Sequence, residues 1–304
     1  MKTITRPVEV DRSEYPFEDR WLPLRDGYIH YVDEGQGPVV LLLHGNPTWS
    51  YIYRNVIKEL RGECRLVALD YPGFGMSKAP SGYRFTPQEH SDAVADLADR
   101  LELKNLVVVV QDWGGPIGTN YAVRHRANLR GFIVMNTWAW PASFLQILFS
   151  IAMGGWPLGY WLQTQKNFFA KSMLPDGIYR KEKVTESFRK AYTDPFPTPE
   201  SRIPTWIFPR QIRKARSWLA DIESKLPHLS DLPAQILWGT HDDPGFPLAD
   251  MAKWQRYLKL HETETLADAS HSVQEDRPDR VVASIRRVLE RTAVKSFTET
   301  ASNR

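Results

Sequence analysis

Short apolar runs alternate with longer amphipathic stretches along most of the chain. Runs such as Val39–Leu43 and Leu106–Val110 have few polar interruptions, which is typical of parallel strands covered on both faces. The stretches between the runs carry apolar residues at helical spacing. This alternation predicts βαβ units, and therefore a mostly parallel sheet flanked by helices. The predicted strands are Arg20–Leu24, Ile29–Asp33, Val39–Leu43, Leu66–Leu69, Leu106–Val110, Phe132–Met135, Gln235–Trp238 and Glu262–Leu266.

The helices predicted between these strands are Ile52–Leu60, Pro87–Leu101, Pro116–His125, Pro247–Leu258 and Pro278–Arg291. The alternation stops between Thr137 and His228, in a segment rich in Trp and Pro with helical pieces at Ser143–Ala152, Lys181–Tyr192 and Gln211–Lys225. We therefore expect one α/β core formed by residues 1–136 and 229–304, interrupted by a helical cap at 137–228. The polar tail after Val294 is expected to be disordered.

Composition narrows the class of protein. The 304 residues are 42% hydrophobic and 25% charged, which is typical of a globular protein with a sizeable core. The formal net charge is +3, and the basic cluster at Arg210–Arg216 is interpreted as a solvated helix face, so no nucleic-acid partner is expected. A single cysteine, Cys64, excludes disulfides within the chain and cysteine-rich metal sites. Because the N-terminus lacks an apolar signal segment, we expect a cytoplasmic protein.

The segment Gly131–Gln165 contains no charged residue and is long enough to cross a bilayer. Pro141, Gly154 and Pro157 interrupt it, however, and its first part has the pattern of a strand. We therefore interpret the segment as an apolar lid over a binding pocket, and we expect no membrane span.

The candidate chemistry begins in the motif QDWGG, where Asp112 follows the apolar run Leu106–Val110. A strand that ends in a sharp turn before a helix, with small residues around the turn, is the frame of a nucleophile elbow. Gly114 and Gly115 supply the small residues. The alternative is an ordinary helix N-cap at Asp112.

Other motifs support the catalytic interpretation. In HGNP, the backbone N–H of Asn46 is a candidate oxyanion donor together with that of Trp113, whereas His44 is interpreted as structural. His271, in DASHS, lies downstream of the nucleophile, as a general base should. The catalytic acid is expected after the strand that ends near Gly239. Asp242 is the preferred acid, Asp243 is the competing choice, and a turn-forming role remains open for either.

An aspartate nucleophile indicates a particular reaction. A carboxylate is ionised at pH 7 and can displace a leaving group from a saturated carbon, forming an alkyl ester that water then hydrolyses. A halide leaving group needs N–H donors and no proton. The indole of Trp113 and the side-chain amide of Asn46 can supply such donors, although core packing and a turn, respectively, are the simpler roles for these residues.

The segments HGNPTWSYIYRNVI, DYPGFGMSKAP, VVVVQDWGGPIGTNYAVRH and SHSVQEDRP resemble those of haloalkane dehalogenases of the α/β-hydrolase fold. The resemblance covers most of the core. It implies Asp112 as nucleophile, His271 as base, and Asn46 with Trp113 as halide-binding residues. It also implies a small halogenated hydrocarbon as substrate, water and halide as partners, and neither cofactor nor metal. The oligomeric state is not indicated.

One position departs from part of that family. One subfamily carries its catalytic acid as Glu just after the strand that precedes the cap, and this position holds Asn136. The departure supports Asp242 as the acid. A further subfamily draws a halide donor from a cap tryptophan, which leaves open the candidates Trp138, Trp140, Trp156 and Trp161.

Three other functions are compatible with parts of the pattern. An epoxide hydrolase would share the Asp nucleophile and would need cap tyrosines as proton donors, for which Tyr160, Tyr179 and Tyr192 are available. The resemblance extends more weakly to luciferase-type oxygenases, whose close relatives use the position of Asn136. A ligand-binding relative without catalysis is the third alternative.

Overall fold

The computed structural model of the chain describes residue 4, residues 6–241 and residues 245–302. Within these ranges it forms the mostly parallel eight-stranded sheet that the sequence predicts. The strands are β1 Arg20–Pro23, β2 Tyr28–Glu34, β3 Val39–Leu43, β4 Arg65–Leu69, β5 Leu106–Gln111, β6 Leu129–Met135, β7 Pro233–Gly239 and β8 Leu260–Leu266.

The strands lie in the order β1-β2-β4-β3-β5-β6-β7-β8. Strand β2 is antiparallel to both β1 and β4, and all the other neighbouring pairs are parallel. The register places Val40 beside Val107 and Val108 beside Phe132 at the centre of the sheet. The largest difference from the predicted strand ends is at β6, which begins at Leu129 because Arg130 and Gly131 interrupt the apolar run without leaving the strand.

The helices are α1 Arg54–Leu60, α2 Pro87–Arg100, α3 Gly114–Arg124, α4 Phe144–Gly154, α5 Leu158–Thr164, α6 Leu174–Asp176, α7 Glu186–Thr193, α8 Ile203–Lys214, α9 Arg216–Lys225, α10 Leu248–Tyr257, α11 Val273–Asp276 and α12 Pro278–Ser302. Each helix predicted between the strands is present. Thr86 starts α2 with a capping box, because its hydroxyl accepts from the backbone N–H of Glu89 while the Glu89 carboxylate accepts from that of Thr86.

Helices α4 to α9 lie between β6 and β7, in the segment where the sequence pattern breaks. Helix α8 begins at Ile203, well before the predicted start at Gln211. The early start is possible because Pro204 lies in the first turn, where a proline costs no hydrogen bond. At the other end of the chain, α12 continues past Val294 to Ser302, although polar composition predicted disorder there. No proline or glycine ends the helix in that stretch.

The core occupies both faces of the sheet. Along β5, Leu106, Val108 and Val110 pack into one apolar cluster, while Val107 and Val109 pack into the other. All five side chains are fully buried, which explains why this strand is a continuous apolar run. Among the described residues, no helix is long and apolar enough to span a membrane. In parallel strands the carboxyl ends share one edge of the sheet, and the loops there form the candidate site.

Candidate active site

Asp112 lies in a tight turn between β5 and α3, with the left-handed backbone angle φ +49°. Such an angle is uncommon for a residue with a side chain and marks a strained turn. The turn requires its glycines: a Cβ on Gly114 would overlap the carbonyl oxygen of Leu43, and one on Gly115 would overlap the hydroxyl of Thr137. The hydroxyl of Thr137 also donates to the backbone oxygen of Asp112, at 2.5 Å. This is the strand–turn–helix geometry of a nucleophile elbow.

The two carboxylate oxygens of Asp112 have different surroundings. Oδ1 accepts a hydrogen bond from the backbone N–H of Asn46, at 2.7 Å. Oδ2 lies 3.5 Å from Nε2 of His271. Gly45 permits this approach, since a Cβ there would overlap the carboxylate of Asp112. One oxygen is therefore held by the loop after β3, while the other faces the candidate base.

His271 lies in the loop between β8 and α11, where two side chains contact its ring and a further hydrogen bond fixes the loop. The side-chain amide of Gln111 is 2.9 Å from Nε2 and donates to the backbone oxygen of His271, at 3.1 Å. The ring of Phe246 stacks on the imidazole, with centroids 4.6 Å apart. The backbone N–H of Ser270 donates to Asp276, which fixes the loop itself. Sequence reasoning missed Gln111 and Phe246. The only signal for Gln111 was a polar residue at the end of a buried strand.

Asp242 and Asp243, the two candidate acids, lie outside the described residues. Both flanks of their loop contact the segment that carries His271. On one side the backbone N–H of His241 donates to the oxygen of Ala269, at 3.1 Å. On the other side Phe246 stacks on His271.

Asn136 lies at the end of β6, with φ +30°, and its side chain binds the end of β7. Its amide donates to the backbone oxygen of Gly239 at 2.9 Å, and its Oδ1 accepts from the backbone N–H of the same residue at 2.8 Å. This double hydrogen bond joins the two strand ends just before the loop that carries Asp242. Asn136 therefore fixes the end of β7 at Gly239, whereas a carboxylate at this position could accept but not donate.

Asn46 and Trp113 both line a cavity beside Asp112. The amide nitrogen of Asn46 has a long contact of 3.4 Å to the backbone oxygen of Thr205, so helix α8 restrains this side chain only weakly. The indole of Trp113 stacks on Phe208 of α8, with centroids 4.8 Å apart, and meets the edge of Trp138 at 4.9 Å. The structure thus brings together Asn46, Trp113, Asp112 and His271, four of the five predicted site residues.

The four tryptophans that the sequence left open as additional halide donors differ in their surroundings. The indole N–H of Trp140 donates to Asp250 and is therefore occupied, while Trp156 and Trp161 are largely exposed. Trp138 lines the cavity, and its buried indole N–H has no hydrogen-bond partner among the described residues. Trp138 is therefore the one of these four that fits an additional donor.

His44 acts within the backbone framework, as the sequence indicated. Its Nε2 accepts from the backbone N–H of Tyr71 at 3.0 Å, and its Nδ1 donates to the oxygen of Gly45 at 2.8 Å. Complete burial lowers the pKa of His44 to about 4, so the ring is neutral at pH 7. A neutral ring is required for this pattern of one donated and one accepted hydrogen bond.

The cavity has a volume of about 720 Å³. One wall is made of the loops at the strand ends, and the other of the helices between β6 and β7. Its apolar lining includes Trp138, Leu145, Phe149, Phe168, Phe169, Met173, Leu174, Pro209, Ile212 and Phe246. In the described part of the chain, no three His, Cys, Asp or Glu side chains are grouped so that they could hold a metal ion.

The fold and the site define a hydrolase class. Residues 38–278 match the family model for the alpha/beta hydrolase fold. The chain is 38% identical to "Haloalkane dehalogenase 2" of Mycobacterium tuberculosis over 277 residues, which cover 90% of this chain and 96% of that relative. The crystal structure of the haloalkane dehalogenase DatA from Agrobacterium tumefaciens has a TM-score of 0.78 and 27% identity, covering 90% of this chain and 97% of that one.

A further relative carries another name. The "Cis-3-alkyl-4-alkyloxetan-2-one decarboxylase" of Xanthomonas campestris is 33% identical over 298 residues, covering 91% of this chain and 97% of the relative. Fold, site and relatives place the chain among the α/β hydrolases. Within them it belongs to the haloalkane dehalogenase family.

Proposed function

We propose that the protein hydrolyses small haloalkanes to an alcohol, a halide ion and a proton, through an alkyl ester on Asp112. The observation that carries this proposal is the difference between the two oxygens of Asp112. Oδ1 is bound by the N–H of Asn46, which leaves Oδ2 to attack the carbon that bears the halogen. In that step a carbon–oxygen bond forms, the carbon–halogen bond breaks, and the bonding electrons leave with the halide.

The second step is hydrolysis of this ester. Oδ1 is then the ester carbonyl oxygen, and it already lies at the backbone N–H of Asn46. That N–H and the N–H of Trp113 would stabilise the oxyanion, at roughly 10²–10³ in rate per donor. His271 takes one proton from water as the water oxygen attacks the ester carbon. The bond between that carbon and Oδ2 then breaks, the alkoxide takes the remaining proton of the attacking water and leaves as the alcohol, and the carboxylate of Asp112 is restored. His271 later releases its proton to solvent. Asp242 is our proposed acid for orienting His271, with Asp243 as the alternative.

The halide is proposed to bind between the side chains of Asn46 and Trp113. Both line the cavity beside Asp112, and both carry N–H groups that donate to an anion. The weak contact of the Asn46 amide with Thr205 leaves it free to turn toward the halide. Trp138 is the proposed additional donor, because its N–H has no partner among the described residues.

The segment 137–228 is proposed to act as the cap of this site. Its helices supply most of the apolar lining, which suits an uncharged hydrocarbon chain. We also propose a cytoplasmic location, on the ground of composition alone.

The tyrosines argue against the epoxide hydrolase alternative. That reaction needs a proton donor for the alkoxide, and Tyr160, Tyr179 and Tyr192 are absent from the described residues that line the cavity. The hydroxyl of Tyr192 is buried and donates to Glu275 at 2.6 Å. Tyr160 packs between the rings of Trp156 and Trp206. Without a tyrosine O–H among the described residues that line the cavity, a halide is the more suitable leaving group.

A second candidate activity is decarboxylation of a cis-3-alkyl-4-alkyloxetan-2-one, the reaction in the name of the relative from Xanthomonas campestris. Two features favour testing it. The identity extends over 91% of this chain, and the apolar cavity of about 720 Å³ has room for two alkyl chains.

The deciding experiment compares three reactions with the same enzyme preparation. Halide release is measured from 1-bromobutane and 1,2-dibromoethane, diol formation from styrene oxide, and cis-alkene formation from a dialkyl oxetan-2-one. We expect halide release, reduced about 10²-fold or more in Asn46→Ala and in Trp113→Phe with folding intact. Diol or alkene formation without halide release would reject the proposal and identify the corresponding alternative.

A further inference from the structure

Helix α4 is packed in an unusual way. Its sequence, FLQILFSIAMG, is apolar, yet the only residues it buries fully are Ser150 and Gly154. Ser150 donates to the backbone oxygen of Pro209, and a Cβ on Gly154 would overlap the backbone of Arg210. These small residues let α4 pack closely on α8. The large apolar side chains of α4 consequently point away from that contact.

The result is a set of exposed apolar side chains on two helices that pack on each other, which we call the α4–α5 face. Its members are exposed by 45 to 74% and comprise Phe144, Leu145, Leu148, Ile151, Trp156, Leu158 and Trp161. Scattered exposed apolar residues are normal on a protein, but a contiguous set of this size marks an interaction surface. The question is which partner covers it.

Charge distinguishes the candidate partners. Helices α4, α5 and α8, which pack on one another, contain no Asp or Glu. Basic groups border the face: the Lys166 ammonium lies 4.9 Å from the ring of Trp161, and the Arg210 guanidinium lies 4.1 Å from that of Trp206. Helix α8 adds Arg213 and Lys214, both exposed.

Among the described residues, none of these four cations forms an ion pair with a carboxylate. Asp250 is buried and accepts from the indole of Trp140. Asp176 belongs to the wall of the cavity. The border of the face is therefore positive.

The α4–α5 face is also connected to the cavity. Leu145 and Phe149 line the cavity and are themselves 74% and 37% exposed. A molecule leaving an apolar phase at this face would therefore meet the cavity wall without first crossing a charged surface.

We propose that the α4–α5 face docks on the surface of an anionic phospholipid bilayer, with its apolar side chains in the interface and its cations at the lipid phosphates. An apolar face with tryptophan and bordering Lys and Arg is the pattern of a helix that lies in a membrane surface. This proposal is independent of the reaction in the cavity. It gives uncharged hydrocarbon substrates, which partition into lipid, a direct path to that cavity.

A second copy of the chain is the competing occupant, and charge disfavours it. A two-fold contact brings the same surface of both copies together. The basic borders would then face each other without an acidic complement, since the three helices carry none. An anionic lipid surface supplies the missing negative charge.

The test is flotation of the protein with two kinds of vesicle. One kind contains phosphatidylcholine alone, and the other also contains roughly 30% phosphatidylglycerol as the anionic lipid. We expect binding to the anionic vesicles that weakens as salt is raised. The variant Ile151→Gln with Leu158→Gln should bind at least about tenfold more weakly. Neither residue lines the cavity, so halide release from 1-bromobutane should be unchanged.

Matched controls show whether the weaker vesicle binding depends on the α4–α5 face or follows any loss of an apolar or basic side chain from the protein surface. Leu260, 38% exposed on β8, is replaced by Gln as the apolar control. Lys166→Gln should weaken anionic binding by about fivefold, whereas Lys104→Gln, at an exposed position remote from the face, should not. Failure of the wild type to bind vesicles would overturn the proposal. So would sedimentation as a dimer that Ile151→Gln with Leu158→Gln converts to a monomer.

Discussion

The two walls of the cavity are built in different ways. The strand-end wall holds Asp112, Asn46 and His271 through backbone hydrogen bonds and through turns that accept only glycine. The helical wall, from α4 to α8, is lined by side chains such as Phe149 and Ile212, which make no directional contacts there. Reacting groups must be held within fractions of an ångström, whereas an apolar chain needs only a suitable volume.

This contrast indicates a division of labour. Changes in the strand-end wall should alter the rate of the chemical steps. Changes in the helical wall should alter which substrates bind and should leave the chemistry nearly intact. The following predictions test that division, beginning with the largest expected effect.

His271→Phe should reduce steady-state halide release by more than about 10³-fold, because ester hydrolysis loses its base. The first step needs no base, so one equivalent of halide should still form. Intact-mass spectrometry under excess 1-bromobutane should show the protein enlarged by one butyl group. Asp112→Asn is the matched control and should show no such adduct. An unmodified mass for His271→Phe would refute its assigned role.

His44→Gln should change the dependence of stability on pH. The unfolded histidine takes up a proton near pH 6.5, whereas burial delays protonation in the folded state to about pH 4. Between these values the unfolded state binds more protons, so acid destabilises the fold, by about 2 kcal/mol at pH 5 relative to pH 7. The variant should lose this component.

Chemical denaturation of both proteins at pH 7 and pH 5 measures the difference. The pKa of the buried His90 is lowered mainly by burial, which is the same in both proteins, and further by the neighbouring His44, which is absent from the variant. The burial part therefore cancels in the comparison, and the measured difference reports His44 together with its effect on His90. Equal losses of unfolding free energy in wild type and variant would show that His44 is not the source.

Gln111→Leu should lower kcat about tenfold, because the imidazole loses the amide that orients it. The effect should fall on ester hydrolysis, since alkylation does not use His271. Rapid-quench mass spectrometry should therefore find more alkyl-enzyme at steady state than in wild type. Slower alkylation with no build-up of ester would indicate instead that Gln111 supports the turn at Asp112.

Phe149→Ala, in the helical wall, should have the smallest effect. We expect KM for 1-bromobutane to rise by about fivefold, with kcat changed by less than about threefold and with improved use of longer chains. Phe144→Ala, on the same helix but outside the cavity lining, is the matched control. A large loss of kcat in Phe149→Ala would contradict the division between the walls.

The sequence predicted the sheet well for a definite reason. Every central strand is buried on both faces, so its apolar run is continuous and stands out from the helices around it. The prediction was weakest in the helical segment. In that segment Pro209 lies inside α8, and a proline there argues against a helix, so most of α8 was not predicted. Contacts between the helices outweigh the helix propensity of the individual residues.

The sequence could predict those residues of the candidate site whose chemical type and position in a motif suit one particular role. Asp112, His271, Asn46 and Trp113 each follow from chemistry and position along the chain. Gln111 and Phe246 did not, because their roles depend on reaching His271 from strands and loops distant in sequence. The catalytic and halide-binding roles of these residues stay predictions, as does the acid at Asp242.

By itself the sequence determined the sheet and the turn at Asp112, the proposed nucleophile, because burial on both faces and the need for glycine are visible in the local sequence. Only the tertiary structure decided the environment of each carboxylate oxygen, the double hydrogen bond of Asn136 with Gly239, and the exposure of the apolar side of α4. These features depend on which distant segments meet. A local pattern of residues does not show which distant segments will pack against it in the folded protein.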